Sequence, residues 1–180
     1  MTRRLYLPDE TTACALGADV VARNVRTELN KHAIDAELIR NGSRGAFHLE
    51  PLLEVEAAGE RLLFGPIAPA DVPALFASGD FPGRDHSLCL GSPDEVGFLA
   101  SQTRLTFARV GAIAPLDFAG YEHLGGMVGL RRALGLTPEA IVGEIEASGL
   151  RGRGGAAFPA AIKWQTVLDA PGAEKYVVCN

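Results

Sequence analysis

The sequence predicts an α/β protein built from two parts, and three observations lead to that expectation. The chain has 180 residues, of which 47% are hydrophobic, so it can bury a core of its own. Within the first 80 residues, apolar segments of strand and helix periodicity alternate. Near the other end, a helix with clear start and stop signals precedes a glycine-rich loop that opens a second helix. Such alternation is typical of a mixed sheet with helices on its faces.

The elements of the first part follow the order β-α-β-β-β-α. Strands are predicted at residues 4–7, 36–39, 52–55 and 61–64, and helices at residues 19–32 and 69–77. Val21, Val25 and Leu29 recur at helical spacing, and Pro69 stands at a helix start, where its missing N–H costs little. The last two strands are close enough to form a hairpin. This order within one small domain is what a thioredoxin-like fold gives.

The composition excludes several classes of function. The net charge is −5 and acidic and basic residues are mixed, so no basic surface is expected to bind nucleic acid. No apolar run approaches the roughly 18 residues that span a bilayer, and the first residues lack a signal-peptide core. Cys14, Cys89 and Cys179 are odd in number and far apart, which is typical of buried thiols in a reducing compartment. We therefore expect a cytoplasmic protein without a membrane span.

A stretch rich in glycine and proline separates the two parts. We place the first domain at residues 1–80, a linker at 81–101 and the second domain at 102–180. His86 and Cys89 are three residues apart in the linker, a spacing that a metal site could use. Because no second pair of ligands stands at metal-binding spacing, an ordinary loop is the favoured interpretation.

The second part contains the best-marked helix of the chain. Thr137 can cap it, Pro138 suits its first position, and Glu139 meets the positive end of the helix dipole. The pair at residues 148–149, Ser-Gly, is a stop signal. A helix is therefore predicted from about residue 138 to residue 148.

A glycine-rich loop, residues 150–158, follows that helix and opens the next one. Glycines let the backbone pass close to a ligand, and free N–H groups at a helix start attract phosphate. Arg151, Arg153 and Lys163 add positive charges, and arginine can hold phosphate oxygens with two parallel hydrogen bonds. The loop matches neither the P-loop spacing nor the dinucleotide fingerprint. From composition alone, a tight structural turn and a ligand-binding loop both remain open.

Residues 42–55 resemble the second cluster-binding stretch of thioredoxin-like [2Fe-2S] ferredoxins, in which the pattern G-C-x-G-x-C precedes an apolar strand. Here Ser43 and Phe47 stand where the two cysteines would be. A cluster normally needs four thiolates, so Cys14, near the first ligand stretch, cannot hold it alone and is interpreted as a core cysteine. The resemblance implies a thioredoxin-like domain that lacks the cluster and serves for docking.

Residues 148–164 and the later K-Y-x-V-C-N motif at residues 175–180 carry a second resemblance. With the block at residues 104–111, they resemble the FMN subunit of complex I and its relatives, which include NAD-reducing hydrogenases and formate dehydrogenases. The first domain, without cluster cysteines, is similar to the beta subunit of NAD-dependent formate dehydrogenase in particular. The resemblance implies a chain that stops inside an α/β FMN-binding domain and is inactive as an isolated fragment.

That resemblance also implies a set of contacts. The implied FMN- and NAD-binding residues are Gly152, Arg153, Gly154, Gly155, Ala156, Phe158, Lys163 and Asn180. Lys163 is expected on the phosphate side of FMN, and Asn180, closing a strand at residues 176–179, is expected to face the flavin. Phe158 is expected to stack on the adenine of NAD, with ordinary core packing as the alternative. Trp164 is expected to pack in the core.

Three positions depart from the family pattern. Ala157 replaces a glycine, so the backbone there must accept a Cβ atom. Met127 replaces an aromatic residue, and Thr166 stands where some relatives have a second aromatic that stacks on adenine. These changes bear on dinucleotide affinity more than on FMN placement.

The implied activity is that of an oxidoreductase subunit that passes electrons from formate oxidation, through iron–sulfur centres and FMN, to NAD. Protein groups position the flavin, so no catalytic side chain is assigned. The implied partners are a molybdenum-containing alpha subunit that oxidises formate and a small [2Fe-2S] thioredoxin-like gamma subunit. A [4Fe-4S] cluster is expected beyond these residues. The alternatives are a diaphorase subunit of an NAD-reducing hydrogenase or complex I, and a non-catalytic docking fragment.

Overall fold

The structure is a computed structural model that describes residues 3–57, 59–172 and 174–178. It divides into two compact units, Met1–Leu124 and Gly125–Asn180. The first unit contains β1 (Arg3–Pro8), α1 (Thr11–Ala15), α2 (Ala18–Lys31), β2 (Ala36–Asn41), β3 (Leu53–Ala57), β4 (Glu60–Phe64), α3 (Val72–Leu75), β5 (Cys89–Gly91), α4 (Gly97–Ala100) and α5 (Phe118–His123). The second contains α6 (Val128–Ala133), α7 (Pro138–Ala147) and α8 (Ala160–Asp169).

The first unit is organised around a five-stranded sheet with the order β2-β1-β3-β4-β5. β1 and β2 are parallel because a helix, α2, connects them, whereas β3 is antiparallel to both β1 and β4. A β-α-β unit followed by a hairpin and a helix in this order is the thioredoxin-like arrangement. The predicted fold class is confirmed for this unit.

The core of the first unit lies between one face of the sheet and α2. Successive strand residues point to opposite faces, so Leu5 and Leu7 share the inner face of β1, and both are fully buried. They pack in one cluster with Val21, Val25 and Leu29 of α2. Each such side chain contributes about 1.5–3 kcal/mol through the apolar surface that it removes from water. The helical spacing read from the sequence therefore marks the face of α2 that contacts the sheet.

The helix predicted at residues 69–77 is shorter in the structure. A turn of 3-10 helix at Pro69–Asp71 precedes α3, which ends at Leu75. Gly79 adopts φ +75°, and its amide donates to the carbonyl of Phe76 at 2.9 Å. This left-handed turn redirects the chain, so the helix ends earlier than the apolar pattern predicts.

The opposite face of the sheet carries a second, smaller apolar cluster that includes Leu52 and Leu63, and beside it a group of charged side chains. Glu54 of β3 is buried and accepts hydrogen bonds from Arg44, at 2.6 and 2.9 Å, and from Arg61, at 3.3 Å. The Arg61 guanidinium lies 3.8 Å from the centroid of the Tyr6 ring. Tyr6 in turn donates its hydroxyl to Glu56 at 2.7 Å. These contacts pair the charges that the strands bring together, as burial requires.

Residues 81–101, predicted as a linker, are packed against the sheet. β5 lies within this stretch and pairs with β4, where Cys89 is opposite Phe64. A strand bonded to the sheet edge belongs to the domain that it extends. Composition reveals glycine and proline but not this pairing, which explains the difference from the predicted boundaries.

Residues 102–124, predicted to begin the second domain, also belong to the first compact unit. The side-chain amide of Asn41, at the end of β2, donates to the carbonyl of Gly111 at 2.7 Å. Arg61 donates to the carbonyls of Gly111 and Ala112 at 3.3 Å each. The charged face of the sheet thus holds this segment, and the compact units divide after Leu124 rather than within residues 81–101.

Two of the three cysteines are less buried than the sequence predicts. Cys14 and Cys89 are both partly exposed, because the first lies in the short helix α1 and the second lies on the edge strand β5. The Cys14 thiol donates to the carbonyl of Asp9 at 3.3 Å. Cys179 lies outside the described residues. In the part of the chain that the structure describes, no group of three His, Cys, Asp or Glu side chains could hold a metal ion.

The second unit, described by itself, is helical. α7 begins as predicted, because Thr137 Oγ1 accepts a hydrogen bond from the amide of Ala140 at 3.2 Å and Pro138 is the first helical residue. It ends before Ser148, and Gly149 takes up a left-handed φ of +64°. Among the described residues of both units, no helix is long and apolar enough to cross a membrane.

The strand predicted at residues 176–179 is wrong for its described part. Residues 174–178 adopt no regular structure, and Tyr176, Val177 and Val178 are all exposed. A strand needs a neighbour with which to exchange backbone hydrogen bonds, and no described residue provides one here.

Candidate functional site

The glycine-rich loop of the second unit is closed by backbone hydrogen bonds at its base. The amide of Gly152 donates to the carbonyl of Phe158 at 2.8 Å, and the amide of Ala160 donates to the carbonyl of Leu150 at 2.9 Å. Arg151 and Pro159 form an antiparallel bridge between these two bonds. The ends of α7 and α8 are therefore joined by a defined loop, whose tip, residues 153–157, is exposed.

Two residues of the loop have left-handed backbone conformations. Gly155 adopts φ +103°, which glycine reaches without a steric penalty. Ala157 adopts φ +49°, where a Cβ atom costs about 1–2 kcal/mol. The sequence indicated that the backbone must accept a Cβ atom at position 157. The left-handed φ is the reason why this Cβ atom has a steric cost. A glycine at this position would adopt the same conformation without that cost.

The glycines at the tip leave open space beside the backbone. A Cβ atom added at Gly154 or Gly155 would have no atom within 4 Å, whereas one added at Gly152 would meet the carbonyl oxygen of Phe158 at 3.6 Å. Gly154 needs neither a positive φ nor a close contact inside this unit. Its lack of a side chain instead keeps the backbone accessible, as a ligand resting on the loop would require.

Two arginines of the loop hydrogen-bond to its backbone. Arg151 Nη1 donates to the carbonyl of Ala157 at 3.2 Å, which braces the loop from one side to the other. Arg153 Nη1 donates to the carbonyl of Arg151 at 2.8 Å. The sequence predicted these groups as positive charges able to hold phosphate oxygens, and the hydrogen bond across the loop was missed because side-chain direction cannot be read from spacing.

The charge of the loop is positive and unneutralised within the described residues. No carboxylate forms an ion pair with Arg151, Arg153 or Lys163 in the parts of the chain that the structure describes. The first turn of α8 has no side-chain cap. An anion placed here would meet guanidinium and ammonium groups together with the positive end of a helix dipole.

Phe158 and Lys163 come together at the start of α8. The Lys163 ammonium lies 5.8 Å from the centroid of the Phe158 ring, within the range of a cation–π contact. Phe158 is 45% exposed, so core packing does not account for it within the described residues. Its half-exposed ring and the neighbouring cation suit an aromatic anion such as a nucleotide.

Trp164 is half exposed, and its predicted place in the core is wrong for this unit. No residue of α8 is buried among the described residues. A single helix packed beside α7 cannot enclose an indole ring, because a core needs elements on more than one side.

The structure brings most of the predicted site residues together. Gly152, Arg153, Gly154, Gly155 and Ala156 lie in one loop, Phe158 closes it, and Lys163 contacts Phe158. Asn180 lies outside the described residues. The arrangement offers an accessible backbone, three cations and one aromatic face within about two turns of helix and a short loop.

Comparisons with known proteins relate the chain to components of redox enzymes. HndC, a subunit of the NADP-reducing hydrogenase of Solidesulfovibrio fructosivorans, is 43% identical over 79 residues, which are 44% of this chain and 16% of that protein. An NADH-quinone oxidoreductase subunit of Rhizobium meliloti is 52% identical over 61 residues, which are 33% of this chain and 14% of that protein. The chain thus spans less than one-fifth of each relative. No protein-family model matches the chain.

One solved structure with a similar backbone is the wild-type thioredoxin-like [2Fe-2S] ferredoxin from Aquifex aeolicus. It aligns with a TM-score of 0.40 and 13% sequence identity, over 50% of this chain and 97% of that protein.

Proposed function

We propose that the second unit is the beginning of an FMN-binding domain and that the chain is part of the NAD-reducing flavin subunit of a formate dehydrogenase. The observation that carries the flavin site is the closed loop with an accessible backbone at Gly154 and Gly155, beside three cations that form no ion pair among the described residues. The similarity to an NADP-reducing hydrogenase subunit and to an NADH-quinone oxidoreductase subunit supports oxidoreductase chemistry.

The loop residues would hold the flavin nucleotide through its phosphate. The backbone from Gly152 to Ala156 would approach it, and Arg153 and Lys163 would contribute positive charge. Phe158 would offer its exposed ring to the adenine of NAD, and Asn180 would contact the flavin from the far end of the segment. Bound FMN would supply the hydride transfer itself, and the protein would bind and orient it.

The assignment to formate dehydrogenase depends on the first unit. Ser43 and Phe47 replace two cluster cysteines, and the Ser43 hydroxyl donates to Glu50 at 2.9 Å instead of facing a metal. A thioredoxin-like domain of this kind, fused ahead of the flavin domain, resembles the beta subunit of that enzyme. Its partners would be a molybdenum-containing alpha subunit and a [2Fe-2S] gamma subunit in the cytoplasm, with a [4Fe-4S] cluster elsewhere in the same polypeptide.

The two relatives favour a second candidate, a diaphorase subunit of a hydrogenase or of complex I. The two candidates are distinguished by purifying the assembly that contains this chain with its natural partners and measuring which electron donor it uses. We expect formate to reduce NAD in that preparation. Reduction of NAD by hydrogen, or oxidation of NADH by quinone without any reaction of formate, would assign the chain to the alternative.

The flavin site is tested by flavin content in the natural polypeptide that contains these residues. We expect Gly154→Ala and Lys163→Gln to lower the FMN retained on purification by about tenfold, because one fills the approach to the backbone and the other removes a charge-assisted contact. Lys31→Gln, an equal charge change on α2, is the matched control and should retain FMN. If the polypeptide purifies without any flavin and acts only by binding a partner, the non-catalytic docking alternative is correct.

A further inference from the structure

A second groove, on the first unit, has no part in the proposed flavin site. It has a volume of about 670 Å³ and lies between the loop at residues 43–47 and the segment at residues 102–107. Arg44 and Arg104 both line it, together with the aromatic rings of Phe47 and Phe107. The volume is within the range of pockets that hold small organic ligands, roughly 300–1,000 Å³.

Arg44 is held in place by the sheet. Its guanidinium makes two hydrogen bonds to Glu54, at 2.6 and 2.9 Å, and its side chain is 13% exposed. Its Cγ atom packs so close to Gly111 that a Cβ added there would lie 2.6 Å away. Arg44 therefore lines the groove in a fixed position, and its guanidinium is already paired with the Glu54 carboxylate.

Arg104 has no such partner. It is half-buried, and within the described ranges no hydrogen bond or ion pair reaches its guanidinium. Burial, followed by the charge of Arg44, lowers the pKa of Arg104, and only Glu54 acts in the opposite direction. The Glu54 carboxylate already accepts from Arg44 and Arg61, so it is not available to Arg104 as a direct acceptor.

The rim of the groove is apolar and unusually exposed. Phe47 is 51% exposed, Phe107 64% and Leu105 88%. Large apolar side chains seldom stand together in water unless they contact something, and aromatic residues beside arginine are enriched in binding surfaces. Ser43 also lines the groove, but its hydroxyl is engaged with Glu50 at 2.9 Å and so offers no free donor.

We propose that this groove binds a small organic anion, in which Arg104 holds a carboxylate or phosphate group and an apolar or aromatic body packs on Phe47 and Phe107. Guanidinium N–H groups match both kinds of oxyanion in a two-point arrangement. Arg44 remains bonded to Glu54 and adds positive potential without a direct contact. The anion would neutralise the partly desolvated guanidinium of Arg104, because a buried charge is unfavourable when it has no partner.

The proposal is tested by titrating the isotope-labelled natural polypeptide that contains these residues and following its backbone amide resonances by NMR. The probes are phenyl phosphate, phenylacetate, inorganic phosphate and phenol. We expect both aromatic anions to shift resonances of residues 43–47 and 102–107. Phenol, which lacks the charge, and inorganic phosphate, which lacks the apolar body, should each bind about tenfold more weakly or worse, as expected when one of two contributions of about 1.4 kcal/mol is lost.

Variants identify the residues responsible. Arg104→Gln should weaken phenyl phosphate binding by about tenfold or more, the loss expected for a charge-assisted hydrogen bond. Arg26→Gln, an equal charge change on the exposed side of α2, is the matched control and should leave binding unchanged. Phe107→Ala removes an exposed ring that does not support the core and should weaken the aromatic probes alone. Each variant's thermal unfolding is recorded to show that it folds.

The proposal is overturned if Arg104→Gln and Arg26→Gln bind phenyl phosphate alike, or if Phe107→Ala has no effect. Resonance shifts confined to residues 150–163 would overturn it as well, because they would place the anion on the glycine loop. Lys163→Gln distinguishes the two sites, since it should reduce binding at the glycine loop and leave the shifts at residues 43–47 and 102–107 intact. Failure at one site therefore leaves the other hypothesis standing.

Discussion

Arg44 and Glu54 form a two-point ion pair in which Nε and Nη2 of the arginine donate to the two carboxylate oxygens at 2.6 and 2.9 Å. Glu54 is 1% exposed, and its Oε2 atom also accepts a hydrogen bond from Arg61 Nη1 at 3.3 Å. The pair connects the loop that resembles a cluster-binding stretch to the centre of β3. It thereby fixes the loop at residues 43–47 to the sheet with charged side chains.

Removing the Glu54 charge should strongly destabilise the first unit. Glu54→Gln leaves the partly buried Arg44 without its carboxylate and Arg61 with Glu56 alone, which costs about 3–5 kcal/mol in the free energy of unfolding. Urea unfolding followed by circular dichroism measures the change. Glu37→Gln, on the exposed side of β2, is the control and should change the free energy by less than about 0.5 kcal/mol. Equal effects of the two substitutions would contradict the role of the pair.

Asn41 should control the attachment of residues 109–112 to the sheet. Asn41→Ala removes the buried hydrogen bond to the Gly111 carbonyl at 2.7 Å and should cost about 1–3 kcal/mol. Hydrogen exchange of the amides at residues 109–112 should become faster. In the control Asn24→Ala, which removes a bond to the Pro69 carbonyl, those amides should exchange as in the unsubstituted chain. Unchanged exchange in Asn41→Ala would refute this attachment.

The left-handed conformation at Ala157 predicts opposite effects for two neighbouring substitutions. Ala157→Gly relieves a cost of about 1–2 kcal/mol and loses about 0.4–1 kcal/mol to unfolded-state entropy, so it should stabilise the second unit slightly. Ala156→Gly has no positive φ to relieve and should destabilise it. The chain has a single tryptophan, Trp164 in α8, whose fluorescence reports unfolding of this unit. Destabilisation by both substitutions would disprove the strained conformation.

Glu50 should make the stability of the first unit depend on pH. Burial raises the pKa of this carboxyl above its ordinary 4.5, so the folded chain holds the proton more tightly than the unfolded chain. The ionised form therefore costs stability at neutral pH, and this cost disappears as the pH falls through the raised pKa towards 4.5. Relative to Glu50→Gln, which cannot titrate, the unsubstituted chain should gain stability on mild acidification.

Glu95 provides the control of opposite sign. The Ser92 amide, followed by Arg84, lowers the pKa of Glu95, so its stabilising contribution is lost as the pH falls below the ordinary value of a glutamate. Relative to Glu95→Gln, the unsubstituted chain should lose stability on acidification, by a small amount because the group is exposed. Urea unfolding at a series of pH values measures both effects. A Glu50→Gln curve parallel to that of the unsubstituted chain would contradict the burial argument.

The sequence predicted best those features that depend on neighbouring residues. The capping of α7 by Thr137 and its end before Gly149 follow from contacts within four residues, and both are confirmed. The alternation of Leu5 and Leu7 and the helical spacing of Val21 and Val25 report which faces are buried, and this was sufficient for the thioredoxin-like order. The residues of the glycine loop were also recognisable, because their spacing is local.

Features that depend on distant residues were not predictable. The Asn41–Gly111 bond joins positions 70 residues apart, and Arg61 reaches Ala112 across 51 residues. No periodicity or turn signal links such positions, so the boundary after Leu124 and the packing of residues 81–101 were missed. The strand expected at residues 176–179 failed for the related reason that a strand is defined by its partner.

The sequence by itself determined the secondary structure near strong local signals, the mixed sheet of the first unit, and the residues of the glycine-rich loop. Tertiary structure alone decided which ion pairs neutralise the charged side chains of the sheet and which segment lies against them. It also decided that Arg104 lies beside exposed aromatic rings and has no partner among the described residues. The physical reason is that backbone propensity and capping act over a few residues, whereas burial and ion pairing depend on atoms that only folding brings together.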